Sequence, residues 1–531
     1  MKKIFLLLLV SLCAMVEALA QPNALIPTPA TAVWGDDIYA LPKSVTISIE
    51  DDALQPAADY LAQLLRTATG YKVPVKRRPG DIQLYLTDEG REGSYALRVK
   101  ANGITILGKG YQGVVNGIST LRQLLPADIE KREVQTGHRW LLPQCTIADE
   151  PRFAWRGMHL DCSRHFFSTG EVKELLDVLA MYKINKFHWH LTDDQGWRVE
   201  IKKYPLLTQQ GGWRTLNDQD SICLRLAQEE NLPDMLLPAD KLRTNAQGET
   251  LYGGFYTQDD IREIVAYAAQ RGIDIVPEID VPGHSLCAIS NYEGLSCYPQ
   301  TGWGEIFSTP LCPGKDRTLE FVKDIYTEIF QLFPYEYVML GGDEVDQSNW
   351  QRCPDCQRRM ADHGLTDTHQ LQAWFVQQME EFFRQHGRRM IGWDEILNGH
   401  LSETATVMWW RGWKPTTLKE ATSRGNQVIC TPNNEFYLDY NDDNGSRLQS
   451  IYLYEPQPAQ LTASEQERVL GVQGNLWTEW VPTRERLYHQ ALPRMMAVAE
   501  LGWNTNERNW QKFQRRITLQ AERLKARGIK E

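Results

Sequence analysis

Tyr337-Val338-Met339-Leu340-Gly341-Gly342-Asp343-Glu344 is an apolar run that opens directly onto two glycines and two adjacent carboxylates. Read as a buried strand, it places the acids at the strand's C-terminal end, with glycines that let backbone and ligand approach closely. In an α/β barrel that end carries the chemistry. Two neighbouring carboxyls there can divide the work, one ionised and the other held protonated as an acid. The competing reading is a helix N-terminus decorated with acids, where negative charge is favoured anyway.

The pattern repeats on both sides of this stretch. From Arg152 onward, short apolar strands alternate with helical stretches, as parallel-sheet units require. The strands predicted are Ala154 to Leu160, Lys186 to Leu191, Ile273 to Ile279, Tyr337 to Gly341, Met390 to Trp393, Thr406 to Trp410, Gln427 to Thr431 and Gly471 to Leu476. Each runs into polar or aromatic residues, among them Asp161, Asp193-Asp194, Glu278 and Asp280, Asp394-Glu395, Arg411 and Glu479. Eight such units predict an α/β fold, a (β/α)8 TIM barrel over residues 151–531 with a C-terminal helix. The longest insertion, Leu216 to Leu251, falls between the second and third strands. Residues 21–150 have another texture. Strands at Val45–Ile49, Ile82–Leu86, Tyr95–Val99 and Gly103–Leu107, with helices Ala53–Ala68 and Tyr111–Leu125, predict a small α+β domain without chemically loaded clusters.

Composition narrows the function. A chain of 531 residues, 42% hydrophobic, can bury a large core in two domains. A net charge of −11 without a basic cluster argues against a nucleic-acid partner. Seventeen tryptophans supply flat apolar faces that suit sugar rings as well as cores. Residues 1–20 read as a secretory leader: Lys2 and Lys3, the apolar run Ile4 to Leu12, then Ala18-Leu19-Ala20 before Gln21. That run is too short to remain in a bilayer, so no membrane insertion is expected, and the chain is expected in the periplasm or outside the cell. Cys13 invites a lipoprotein reading, which the bulky Leu12 opposes. Cleavage leaves an odd number of cysteines. Cys297 and Cys312 flank a loop and are candidates for a bridge, whereas Cys353-Pro354-Asp355-Cys356 resembles half a zinc knuckle that lacks a second C-x-x-C. A local disulfide or two free thiols is the expectation there, and none of the cysteines is assigned to catalysis.

The motifs around the mouth carry the chemistry. His188 and His190 alternate on a strand and point to one face. Such an H-x-H pair also suits a metal-dependent hydrolase, but only His284 appears at the next strand ends, so packed or hydrogen-bonded histidines fit better. Asp193 is placed to orient His284, and His284 to reach Glu344, the arrangement that tunes a general acid–base group.

Seven blocks in order resemble the β-N-acetylhexosaminidases of glycoside hydrolase family 20. They are Trp155-Arg156-Gly157 with Leu160 to Phe166, His188 to Arg198, Pro277 to His284, Gly341 to Glu344, Gly392 to Glu395, Tyr437-Leu438-Asp439, and Leu476 to Glu479. The resemblance spans the catalytic half, and the preceding α+β domain is similar to the one that accompanies this barrel. It implies exo-acting hydrolysis, with retention, of terminal β-linked GlcNAc or GalNAc from N-acetylhexosamine-containing glycans. The substrate's own acetamido oxygen serves as nucleophile and forms an oxazolinium intermediate. It further implies that Glu344 is general acid and then base, that Asp343 holds the acetamido N–H, and that Tyr437 donates to the acetamido oxygen. His284 and Asp193 support Glu344. Arg164, Asp439 and Glu479 bind the outer hydroxyls, and Trp393, Trp410 and Trp477 wall the pocket. Trp409 and Trp410 must face opposite sides of a strand, and the motif position favours Trp410. No cofactor and no metal are implied. Val345 stands where many relatives carry cysteine, and the long insertion leaves the leaving-group side open. Three alternatives remain: a disaccharide-releasing lacto-N-biosidase, a metal-dependent barrel hydrolase, and a non-catalytic glycan-binding protein.

Overall fold

The computed structural model describes residues 24–299, 302, 307–442 and 444–530. The expected leader, residues 1–20, lies outside them.

The N-terminal unit is one seven-stranded sheet. Its strands are β1 (Thr31–Ala40), β2 (Ile47–Ile49), β3 (Val75–Lys76), β4 (Ile82–Thr87), β5 (Tyr95–Lys100), β6 (Gly103–Lys109) and β7 (Leu141–Asp149), in the order β1-β7-β5-β6-β4-β2-β3. Helices Gln55–Thr69 and Gly110–Leu124 bury their apolar stripes, Leu61 and Leu65 on one and Val114, Ile118 and Leu121 on the other. The four predicted strands are present. β1, β3 and β7 escaped sequence reading because β1 is a largely exposed edge strand, β3 is two residues long and β7 contains Pro143.

The barrel strands are β8 (Trp155–Asp161) and β9 (Lys186–His190), then, after a short hairpin β10 (Thr192–Asp193) and β11 (Gly196–Trp197) and the inserted sheet β12 (Trp213–Thr215), β13 (Leu242–Thr244) and β14 (Thr250–Gly253), the remaining six. These are β15 (Asp274–Glu278), β16 (Tyr337–Met339), β17 (Arg389–Trp393), β18 (Thr406–Trp409), β19 (Gln427–Cys430) and β20 (Val469–Leu476). All pair in parallel, and β20 closes on β8. All eight predicted strands are there, within about two residues at each end. Inward residues Val276, Met339, Ile391, Met408 and Ile429 fill the barrel with Trp155 and Trp393, while outward residues pack on the helices. Among the described residues no helix is long and apolar enough to cross a membrane.

The two units share a buried junction. Trp503, at the end of helix Arg494–Trp503, packs into the N-terminal core and donates to Asp149 at 2.9 Å. Arg122 grips Glu130 through two hydrogen bonds of 2.8 and 2.6 Å. From the C-terminal helix Trp510–Ala526 and its end, Arg523 and Arg527 approach the same carboxylate at 3.3 and 3.0 Å. The insertion folds as helix Asp218–Glu229 beside the small sheet and leans on the barrel mouth. Arg214 donates to the Arg164 carbonyl at 3.0 Å, and buried Asp220 meets His165 at 3.2 Å.

The cysteines depart from one expectation, the Cys297–Cys312 bridge, and meet the other in its free-thiol form at Cys353 and Cys356. Cys297 and Cys312 form no bridge, nor do Cys353 and Cys356. All four thiols meet at one point, because the loops after β15 and β16 fold against each other.

Candidate active site

After β16 the chain turns outward through Gly341 and Gly342 at φ +87° and +93°. A Cβ on Gly341 would lie 1.8 Å from Asp280 Oδ1, so only glycine fits where this loop crosses the end of β15. Glu344 and, in the facing loop, His284 hold left-handed backbone at φ +49° and +46°. For residues with a side chain this costs about 1–3 kcal/mol each, a strain that persists where the surroundings over-determine it. The two strained residues face each other, with His284 Nε2 3.5 Å from Glu344 Oε2 and 3.7 Å from Asp343 Oδ2.

Behind His284 a chain of charges runs inward. Its Nδ1 lies 3.3 Å from Asp193 Oδ1 and 3.6 Å from Asp194 Oδ2. Asp193 is met in turn by Arg164 at 2.9 Å and His190 at 3.0 Å. Burial disfavours charge on His284, yet Asp193, Asp194 and Glu344 raise its pKa well above the usual value. Burial also opposes ionisation of Asp193, but Arg164 and His284 hold its carboxyl well below the usual range. Each shift favours the charged form, so the surroundings of both groups favour an ion pair behind Glu344.

The two acids of the tetrad differ sharply in exposure. The Glu344 side chain is 33% exposed, whereas Asp343 is buried and its Oδ1 has no partner. Burial, then the neighbouring Asp280, pushes the Asp343 pKa well up, while Asp280 itself is raised to about 7 by burial. Asp280 Oδ1 accepts from the Gly342 amide at 3.2 Å, and its other oxygen is unpartnered. Buried carboxyl oxygens without a protein partner and with raised pKa values mark this cluster as a candidate functional site.

The pocket wall is aromatic. Trp410 stacks on Tyr437 with ring centroids 6.0 Å apart and planes at 14°, and Trp477 lies 6.1 Å from Tyr437 and 5.9 Å from Trp393. Trp409 turns away into the helix layer. Arg164 closes one end, reaching Asp161 at 3.3 Å, Gln195 at 3.0 Å and Glu479 at 3.9 Å, with its guanidinium over Trp477. Asp439 brings another unpartnered buried oxygen; burial and then Glu479 raise its pKa to about 7. The structure thus brings all eleven residues singled out from the sequence to one mouth.

Two groups went unassigned in the sequence. Glu278 is a hub at the barrel's centre, met by His190 at 2.5 Å, His188 at 2.9 Å and the Trp393 indole N–H at 2.9 Å. Pairing of β9 with β15 sets His190 opposite Glu278, a register that sequence spacing does not specify. The hub fixes the Trp393 ring and brings both histidines of the H-x-H pair to one carboxylate. The donor types for a cation do occur there, in His159 with His188 and Glu278, and in Asp280 with His284 and Asp343. The second omission is Glu395, which accepts from the Trp410 indole at 3.0 Å and is raised to about 8 by burial and then Asp394. It lines an open cleft of about 300 Å³ that runs from Glu344 past Trp410, Trp413 and Lys414.

Residues 153–506 match the family described as glycosyl hydrolase family 20, catalytic domain, and residues 23–150 match its domain 2. The chain belongs to glycosyl hydrolase family 20. This family 20 hydrolase is 38% identical to a β-hexosaminidase of Porphyromonas gingivalis, over 95% of this chain and 64% of that protein's length. Among solved structures, the exo-β-N-acetylglucosaminidase of Vibrio harveyi with N-acetylglucosamine superposes at a TM-score of 0.82 and 32% identity, covering 96% of this chain and 78% of that one. A mutant Streptomyces plicatus β-hexosaminidase in complex with product GlcNAc superposes at 0.78 and 33% identity, covering 96% of each chain. Against those lengths, the family 20 hydrolase described here spans somewhat less than two thirds of its Porphyromonas relative.

Proposed function

We propose that this chain is an exo-acting, retaining β-N-acetylhexosaminidase that removes terminal non-reducing GlcNAc or GalNAc by substrate-assisted catalysis. The observation that carries it is the unequal pair: Asp343 buried with one oxygen lacking a protein partner, and Glu344 at the exposed mouth beside the buried His284. Glu344 protonates the leaving oxygen and then activates water. Asp343 accepts from the acetamido N–H and stabilises the positive charge as the ring closes, and that charge draws its raised pKa back down. Tyr437, braced between Trp410 and Trp477, donates to the acetamido oxygen. Arg164, Glu479 and Asp439 bind the outer hydroxyls. Their closure behind one sugar favours single-residue release over disaccharide release.

Paired aryl glycosides test this, with chelator added only for the assay. Rapid release from β-GlcNAc but not β-glucose, indifferent to EDTA, is expected. Equal rates on both sugars would mean a protein nucleophile. Loss of activity with EDTA would favour metal-dependent hydrolysis, and no release would favour a binding-only or disaccharide-releasing site. We also propose export through the leader at residues 1–20, supported by its charged start, apolar run and A-x-A site. N-terminal sequencing of protein recovered outside the cytoplasm is expected to begin at Gln21.

A further inference from the structure

Away from the barrel mouth, four thiols from three segments converge. Cys297 follows the short helix Leu286–Asn291, and Cys312 precedes helix Asp316–Leu332. Cys353 caps helix Pro354–His363, and Cys356 sits in its first turn. Their sulfurs lie 3.8 Å apart for Cys297–Cys356, 3.8 Å for Cys312–Cys353 and 3.5 Å for Cys312–Cys356, and all four lie within 4.8 Å of one another. Four thiolates about 2.3 Å from a central zinc ion form a tetrahedron with edges of about 3.8 Å. The spacing therefore matches ligands around one ion.

The surroundings fit the same ligand. Two Cys-Pro turns, Cys312-Pro313-Gly314 and Cys353-Pro354-Asp355-Cys356, pack backbone against backbone. A Cβ on Gly314 would lie 2.3 Å from the Cys356 nitrogen, so glycine is required for that approach. Three of the thiols are buried and the fourth, Cys297, is partly so. Lys315 and Arg359 are tied beside the cluster, Lys315 to the Ser296 carbonyl at 2.6 Å and Arg359 to the Gly314 carbonyl at 3.2 Å. Lys315 brings positive charge to a site whose four thiolates exceed the charge of one divalent ion by two, and Arg359 adds to it although it is also paired with Asp316 at 2.5 Å.

We propose that Cys297, Cys312, Cys353 and Cys356 bind one structural zinc ion. Binding releases the thiol protons and forms four zinc–sulfur bonds, with no change of oxidation state. The ion would close the two loops that present the reacting groups. The loop after β15 carries His284 and continues to Cys312; the loop after β16 carries Glu344 and continues to Cys353. Between them run hydrogen bonds from the Val281 amide to the Leu340 carbonyl at 3.1 Å and from the Trp350 indole to the Leu311 carbonyl at 3.1 Å. Zinc joins the same loops at their far ends and takes no part in the reaction.

The test is metal content and thiol state of the full chain, purified without chelator or added metal. About one zinc per chain is expected, with all four cysteines alkylated after unfolding without reductant. Titration with a mercurial should release that zinc as the four thiols react. Cys353→Ser with Cys356→Ser should lower zinc to below about a tenth per chain, whereas Cys430→Ser should leave it unchanged. Should the double variant not fold, the wild-type measurements still decide. Disulfide-linked Cys297–Cys356 and Cys312–Cys353 peptides, substoichiometric zinc, or iron in its place would each overturn the assignment.

Discussion

Arg122 and Glu130 at the junction of the two units are as deeply buried as Asp280 and Asp343 at the barrel mouth, yet the two clusters follow opposite rules. At the junction, three arginines surround one carboxylate, which they hold below its usual pKa range against the cost of burial. At the mouth, carboxyls crowd together with open oxygens, and burial pushes Asp343 and Asp280 up. Charge that serves the fold is neutralised on the spot. At the mouth burial disfavours the charged carboxyls, and in the proposed function the substrate supplies the missing partner.

The largest break in that comparison should come from the acids themselves. Glu344→Gln is expected to lower turnover of substrates with poor leaving groups by about 10²–10⁴-fold with binding retained, measured as kcat against product affinity. Most activity surviving would reassign the acid. Asp343→Asn should cost about 10²–10³-fold in kcat with little change in KM, since its charge matters as the intermediate forms.

The same substitution sharpens the contrast in stability. The folded pKa of Asp343 lies above the unfolded value near 4, so its contribution is present below about pH 4 and is lost as pH rises through the raised value. Asp343→Asn should therefore raise Tm at pH 8 and leave it unchanged at pH 4. Glu130 has the opposite sign. Its folded pKa is depressed, so its stability is present above about pH 4 and is lost as pH falls through the folded value. Glu130→Gln strands buried arginine charge and is expected to cost about 3–5 kcal/mol in denaturant unfolding. kcat of the folded fraction should not change. A Glu130→Gln protein with wild-type stability would end the comparison.

The smallest effect is expected at the cleft's rim. Trp413 is 58% exposed and sits edge-on to Trp410, in the open cleft that also holds Glu344. Trp413→Ala should remove about 1 kcal/mol of apolar contact, roughly five-fold in KM for longer oligosaccharides, with aryl glycosides unaffected.

Much of this was legible in the sequence for a physical reason. Barrel strands buried on both faces read as continuous apolar runs, and their C-terminal ends announce themselves by an abrupt change to charge, as at Leu340 to Asp343. The half-exposed β1 and the proline-bearing β7 offered no such run. Glu278 was visible as a strand-end acid, but its role as a hub depends on the register that sets it against His190. Glu395 stood in a quoted motif, yet its burial beside Trp410 follows from how β17 and β18 pair. The thiol cluster was hidden because its members lie 15 and 41 residues apart between Cys297, Cys312 and Cys353. The one local signal was the pair of Cys-Pro turns, since a second C-x-x-C is unnecessary once two loops supply single cysteines.

The insertion at residues 216–251 reaches the mouth from outside the barrel, where Asp220 meets His165 at 3.2 Å and Cys223 approaches the Glu479 carbonyl at 3.8 Å. It therefore lies against residues proposed to grip the outer hydroxyls. Glucosamine and galactosamine differ only at the hydroxyl that this end of the pocket would meet. Preference between them can thus drift or be engineered through a segment that supplies no reacting atom, leaving the chemical step to evolve on its own schedule.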